Sequence, residues 1–180
     1  MLPRYLVAIM LTMLWSVPFL FKYTTPRPKS NAKDQTARFG IVLQGMAKIV
    51  VWIMPAREVA NWRIVSGILL CLIGILTAQT ALRHLDKQWR LDAALSSDHQ
   101  LIRTGPYALL RHPIYTAMFA MLLGTGLMVA QWPAIVATLV LHIAGTEIRI
   151  WSEEKLLRAR FGEEFDTWAR HVRAYLPFVR

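Results

Sequence analysis

The sequence holds one cysteine in 180 residues, so Cys71 has no partner for an intramolecular disulfide, and a cysteine-based zinc cage is excluded. Cys71 lies inside the apolar stretch 64–80, which gives it a packing role. Acid is scarce as well: eleven Asp and Glu stand against twenty-one Lys and Arg, for a formal net charge of +10. The chain contains no Gly-x-Gly-x-x-Gly and no internal repeat. What it has in abundance is apolar surface. At 55% hydrophobic residues with seven Trp, it is neither disordered nor an ordinary soluble domain, and a membrane protein is the leading class.

A hydrocarbon core about 30 Å thick needs about 20 mostly apolar residues per helix. Five stretches approach that length: 2–21, 39–54, 62–82, 114–129 and 132–150. The second is the weakest, being short and carrying Lys48, whose stem can run along the helix toward the headgroups. The first carries only Arg4 near its start and no small-x-small cleavage pattern before Lys22, so it reads as a retained span rather than a secretory signal. The predicted fold class is all-α, an integral membrane protein of about five spans with a C-terminal interfacial amphipathic helix. It forms a single membrane domain over 1–180, with three spans in 1–82 and a functional core in 83–180.

The basic residues test that count. Seventeen lie between spans one and two, between spans three and four, or from Arg149 at the end of span five onward, whereas only Arg4, Arg57 and Arg63 lie on the other side and Lys48 lies within a span. The positive-inside rule then predicts an external N-terminus and a cytosolic C-terminus. It also accounts for the basic excess without nucleic acid. The first cytosolic loop, with Pro26, Pro28, Lys29, Ser30 and Asn31, reads as extended and polar. The second, 83–112, is long and mixed in charge, as functional loops often are. A carrier is disfavoured, since the two halves share no broken-helix pattern.

Two constellations carry chemistry. In the first, Gly105-Pro106 forces a turn and Pro113 starts span four, placing His112 at the helix start with Tyr107 and Tyr115 around it. Unpaired N–H groups there suit a carboxylate. The plainer alternative makes the tyrosines interfacial anchors and His112 a helix cap. In the second, His142, Arg149 and Glu153 fall within roughly 20° of one line along span five, with Thr146 beside them. Ionisable groups at membrane depth face a cavity or one another, so this stripe predicts a pocket. Its alternatives are a simple Arg149–Glu153 pair at i, i+4 and a helix contact for His142. Glu147 lies about 140° from the stripe. Glu154, Glu163 and Glu164 read as solvated. Beyond Phe161-Gly162, Phe165, Trp168, Ala169, Val172 and Tyr175 recur at helical spacing opposite Arg170 and Arg173.

The ordered set His99-Gln-Leu-Ile, Gly105-Pro-Tyr107, Arg111-His-Pro-Ile-Tyr115, Arg149, Glu153-Glu154, Phe161-Gly-Glu-Glu-Phe165 and Pro177 resembles the isoprenylcysteine carboxyl methyltransferases, within the phospholipid methyltransferase-like membrane enzymes. The resemblance covers about the last 100 residues, and the first two spans match in hydropathy only. It implies S-adenosylmethionine as cofactor, bound without a Rossmann domain by His99, Gln100, Leu101, Ile102, Tyr107, His112, Pro113, Ile114, Tyr115 and Glu153. It implies Arg149 as the catalytic, substrate-handling arginine, and His142 joins it as a substrate-binding candidate from the stripe. No metal is expected. The partners implied are the membrane and a lipid-linked or prenylated acceptor, methylated at the cytosolic face of what reads as a bacterial inner membrane. Two alternatives stand beside this reading: an NADPH-dependent sterol or lipid reductase using Arg103 and Arg111 for phosphate, and a non-enzymatic lipid-binding protein.

Overall fold

The computed structural model describes residues 2–24, 30–96 and 99–175. Arg27, Lys29, Pro26 and Pro28 of the first loop, and Pro177 and Arg180 near the C-terminus, lie outside the described residues. The protein is an all-α membrane protein. Its helices are α1 (Leu2–Thr24), α2 (Ala37–Ile53), α3 (Asn61–Leu85), α4 (Pro113–Val129), α5 (Trp132–Phe161) and α6 (Glu163–His171). The helices α1, α3 and α5 are long and apolar enough to cross a membrane, and α4 is a shorter apolar helix. One face of α1, with Leu6, Met10, Met13, Leu20 and Phe21, is bare apolar surface of the kind lipid covers.

Two elements depart from the periodicity. α5 runs past residue 150 to Phe161, because the charged residues after Trp151 are good helix formers and nothing breaks the helix before Gly162, which takes φ +51°. At 30 residues it is about 45 Å long, more than a bilayer core requires. α6 stops at His171, and residues 172–175 run on without helix, so that Leu110 pairs in parallel with Arg173. The residues after α1 also form a small feature that alternation did not announce: β1 (Ser30–Lys33) pairs antiparallel with β2 (Ala94–Ser96). Asp34 anchors this ribbon. It accepts the Thr36 N–H at 2.8 Å and faces Lys155 of α5 at 3.1 Å, and the Thr36 hydrogen bonds, aided by Lys155, hold its carboxyl down at about 2.

The bundle is built from two clamped pairs. α3 packs most extensively on α4, and α2 on α5, while α1 lies across α3 and α4. Each clamp is a reciprocal glycine contact. A Cβ on Gly67 would fall 2.6 Å from the Gly124 carbonyl oxygen, and one on Gly124 would fall 2.6 Å from the Gly67 oxygen and 2.8 Å from Cys71 Sγ. In the other pair a Cβ on Gly145 would lie 2.7 Å from the Gly40 oxygen. The small residues of α3 and α4 therefore serve contacts within one chain.

One end of the bundle gathers the N-terminus and the two short turns. Arg4 donates to the Ala56 and Arg57 carbonyls. Arg63 donates to the Ala130 carbonyl at 2.6 Å and lies over the Trp132 ring at 4.6 Å, capping the C-terminal carbonyls of α4. At the opposite end lie the ribbon, the 83–112 segment and α6.

Because overpacking a tight contact costs about 1–3 kcal/mol, Gly124→Ala should lower thermal stability in detergent by that amount. Gly45→Ala, where an added Cβ meets nothing within 4 Å, should leave it level or slightly higher. Equal melting temperatures for the two variants would refute the clamp.

Candidate functional site

The second end of the bundle encloses a cavity of about 400 Å³. Its walls come from segments far apart in sequence: Trp15 and Phe19 of α1, Lys48 of α2, the 88–95 and 99–102 segments, the start of α4, Arg149 and Glu153 of α5, and Trp168 of α6. Gly105 makes this possible. With φ +60° it opens the 3-10 turn Gly105–Ala108, and a Cβ there would collide with the His84 ring, so the chain turns tightly enough to bury Tyr107 against Phe165 and Trp168.

Below that turn runs a chain of ion pairs and hydrogen bonds. Arg111 donates to Glu154 Oε1 through Nε at 2.9 Å and is paired with it through its terminal guanidinium at 2.8 Å. Its other terminal nitrogen donates to the Ala169 carbonyl at 3.0 Å and to the Val172 carbonyl. His112 sits between two carboxylates, with Nε2 at 3.2 Å from Glu154 Oε1 and Nδ1 at 3.4 Å from Glu153 Oε2. Glu153 accepts the Tyr115 hydroxyl and faces an Arg149 terminal nitrogen at 3.5 Å. Arg149 donates to the Leu91 carbonyl at 2.7 Å, reaches Gln44 Oε1 at 3.5 Å and lies over the Tyr115 ring at 5.2 Å. Burial alone would pull the His112 imidazole down, but the hydrogen bonds with Glu153 and Glu154 outweigh it and raise it above its ordinary value.

The structure brings most of the predicted positions to one chamber. His99, Gln100, Leu101, Ile102, Tyr107, His112, Ile114, Tyr115, Arg149 and Glu153 all line it. Two do not. Pro113 is buried at the first position of α4, and His142 is buried between α4 and α5, with its ring 6.3 Å from Phe119 and Nε2 at 3.5 Å from Thr146.

Three expectations change. Glu154 is not solvated: it is 6% exposed and closes the Arg111–His112 network, because the roughly 100° of helical rotation from Glu153 points it at the start of α4. Glu163 and Glu164 do remain on the surface. The start of α4 is not an open anion site. The Arg111 and His112 N–H groups donate to the Arg173 and Ala174 carbonyls, those of Tyr115 and Thr116 to the His112 carbonyl, and Thr116 Oγ1 to the Tyr175 carbonyl. The phosphate-binding arginines of the reductase alternative are engaged as well, Arg111 with Glu154 and Arg103 with Glu164 at 2.6 Å. Several wall residues escaped sequence reasoning, among them Trp15, Phe19, Lys48 and Leu91. Lys48 was visible as a charge in an apolar span, whereas nothing in the sequence marks Leu91, whose backbone carbonyl holds Arg149.

A profile of the phospholipid methyltransferase family matches residues 62–164, more than half of the chain. The chain belongs to that family. Among curated proteins it is similar to a protein-S-isoprenylcysteine O-methyltransferase of Tribolium castaneum, 28% identical over 138 residues that make up 73% of this chain and 47% of that one. It is also similar to protein-S-isoprenylcysteine O-methyltransferase B of Arabidopsis thaliana, 30% identical over 145 residues, 77% of this chain and 70% of the relative. A third similarity, to the nickel-cobalt-cadmium resistance protein NccN of Alcaligenes xylosoxydans xylosoxydans, is 38% identical over 78 residues but covers 43% of this chain and 36% of that one. The chain spans about half the length of the first curated relatives it matches. The family match runs from α3 to the start of α6, so the α1 and α2 walls of the cavity lie outside it.

A raised imidazole stabilises the fold fully below the ordinary histidine range, about pH 6.5, and loses that contribution as pH climbs through the raised value. The melting temperature should accordingly fall as pH rises above that range, and His112→Gln should flatten the slope. Parallel profiles for the wild type and the variant would exclude the His112 bridge as the cause.

Proposed function

We propose that the chain is a membrane methyltransferase that uses S-adenosylmethionine to methylate the carboxylate of a lipid-linked acceptor at the cytosolic face. The observation that carries this reading is the chamber itself, in which Arg149 and Glu153 meet the 99–102 segment, Tyr107 and Tyr115 beneath apolar walls. Membership of the family and the printed names of the curated relatives support it.

The residues present fit that cofactor. It is a zwitterion with an aromatic base, and it supplies an electrophilic methyl group on a sulfonium. Of the two cavity acids, Asp92 is paired with Lys33, and Glu153, a quarter exposed beside its Tyr115, His112 and Arg149 contacts, is the one we assign to an ammonium. Tyr107 and Tyr115 offer ring faces to a sulfonium, and Leu101, Ile102 and Leu157 offer apolar contact to a base. The Trp168 indole N–H is buried on the same wall with no hydrogen-bond partner among the described residues, a donor in want of an acceptor. His112, with both ring nitrogens facing carboxylates, sets the Glu153–Glu154 pair.

An acceptor carboxylate, with a reference pKa near 3.5, is already ionised at neutral pH, so the chemistry needs alignment more than a base. Arg149 is held by Leu91, Gln44 and Glu153 and still has an unpartnered Nε, which suits it to fix that carboxylate. Trp15, Phe19 and Met118 give a lipid tail an apolar bed. The distribution of basic residues along the sequence supports an external N-terminus and a cytosolic C-terminus, with both substrates meeting at the inner leaflet.

Arg149→Ala should reduce methyl transfer by at least about a hundredfold, the penalty of lost alignment, while binding of S-adenosylhomocysteine by isothermal titration stays within a few-fold of wild type. Undiminished turnover would remove Arg149 from the reaction. Binding of NADPH but not of S-adenosylhomocysteine by the wild type would overturn the reading as a whole.

A further inference from the structure

Lys48 is the charge the site leaves unexplained. It lies in α2, one turn beyond Gln44, which donates to Thr146 at 2.9 Å and touches Arg149. A helical side chain leans toward the N-terminus of its own helix, so Lys48 reaches back toward Gln44 and Arg149 and not toward the nearer helix end at Ile53. It lines the same cavity as Arg149.

Its neighbours on the wall are held and it is not. Arg111 has Glu154, and Arg149 has Leu91, Gln44 and Glu153. Lys48 has neither an ion pair nor a hydrogen bond among the described residues. An ammonium inside an apolar helix is costly without an anion beside it. The acids on the cavity wall are two, and both are engaged: Asp92 is paired with Lys33, and Glu153 is shared by Tyr115, His112 and Arg149. Lys48 is exposed and lines the cavity, so its ammonium is open to a negative charge carried by a ligand.

We infer that Lys48 is a specificity-determining residue of the acceptor site, its ammonium and the Arg149 guanidinium together holding the acceptor's acidic group. This rests on the methyl-transfer reading and adds to it a cation that lies outside the family match. It also gives release a physical basis. With S-adenosylmethionine bound, the acceptor's carboxylate oxygen would take the methyl carbon as its bond to sulfur broke, leaving a neutral thioether, and no proton would move. The product is an uncharged ester facing two cations, and its hold is lost.

The test is direct binding to the full chain in nanodiscs, using S-farnesylthioacetic acid and its methyl ester as probes and tryptophan fluorescence as readout. Wild type should prefer the acid by at least about tenfold. Lys48→Gln and Lys48→Met should erase most of that preference, Lys48→Arg should restore it, and S-adenosylhomocysteine binding should be the same in all four. In turnover, Lys48→Gln should raise KM for the acid with kcat nearly unchanged. A preference for the acid that survives both neutral variants, or is absent from the wild type, overturns the inference and leaves the cofactor reading standing. A Lys48-dependent preference in a protein that transfers no methyl group upholds the inference and overturns the methyltransferase reading.

Discussion

One imidazole between two carboxylates organises this molecule. His112 faces Glu153 with one nitrogen and Glu154 with the other, and from that bridge the contacts run outward in both directions. Through Glu154 they reach Arg111 and, by its donated hydrogen bonds, the end of α6. Through Glu153 they reach Tyr115, Arg149 and the Leu91 carbonyl. The start of α4, the second half of α5, the segment just before β2 and the C-terminal stretch are thus held by one continuous set of charges. Buried charges tolerate this only when each has a partner, and the chamber takes its shape from the pairing.

The polar network works because the helices around it approach closely. Gly67 against Gly124 and Gly40 against Gly145 remove side chains where two backbones meet, and Gln44 is placed to touch both Thr146 and Arg149 because α2 lies so near α5. At the far end the two buried arginines play a different part. Arg4 and Arg63 give their guanidinium groups to turn and helix-end carbonyls, which explains why cations persist on the side of the bundle that is otherwise poor in them.

The spans of α1, α3 and α5 were legible because a hydrophobic run about as long as a bilayer is thick leaves few other readings, and the motifs of 99–115 and 149–153 were legible because proline, glycine and ionisable residues stand out against apolar sequence. Glu154 was misjudged for a physical reason. Helical period places it off the line of Arg149 and Glu153, and only the docking of α4's first turn beside α5 gives it a partner. The openness expected of that first turn failed similarly, since residues 173–175 supply its acceptors from sixty residues away and no local signal announces them. The length of α5 was hidden by its charges, which mark where a helix leaves lipid but not where it ends. Pocket membership of Tyr107 and Tyr115 and the absence of His142 from the lining are likewise tertiary facts.

The two glycine clamps close within α3–α4 and within α2–α5, whereas α4 and α5 meet each other far less extensively. The chamber, with α4 residues on one wall and α2 and α5 residues on another, lies along the seam between the pairs. Mechanically the bundle is a pair of stiff ladders leaned together, and the ties across the seam are the ionic ones from the start of α4 to Glu153 and Glu154, so loosening that bridge would widen the chamber while every glycine rung stays intact.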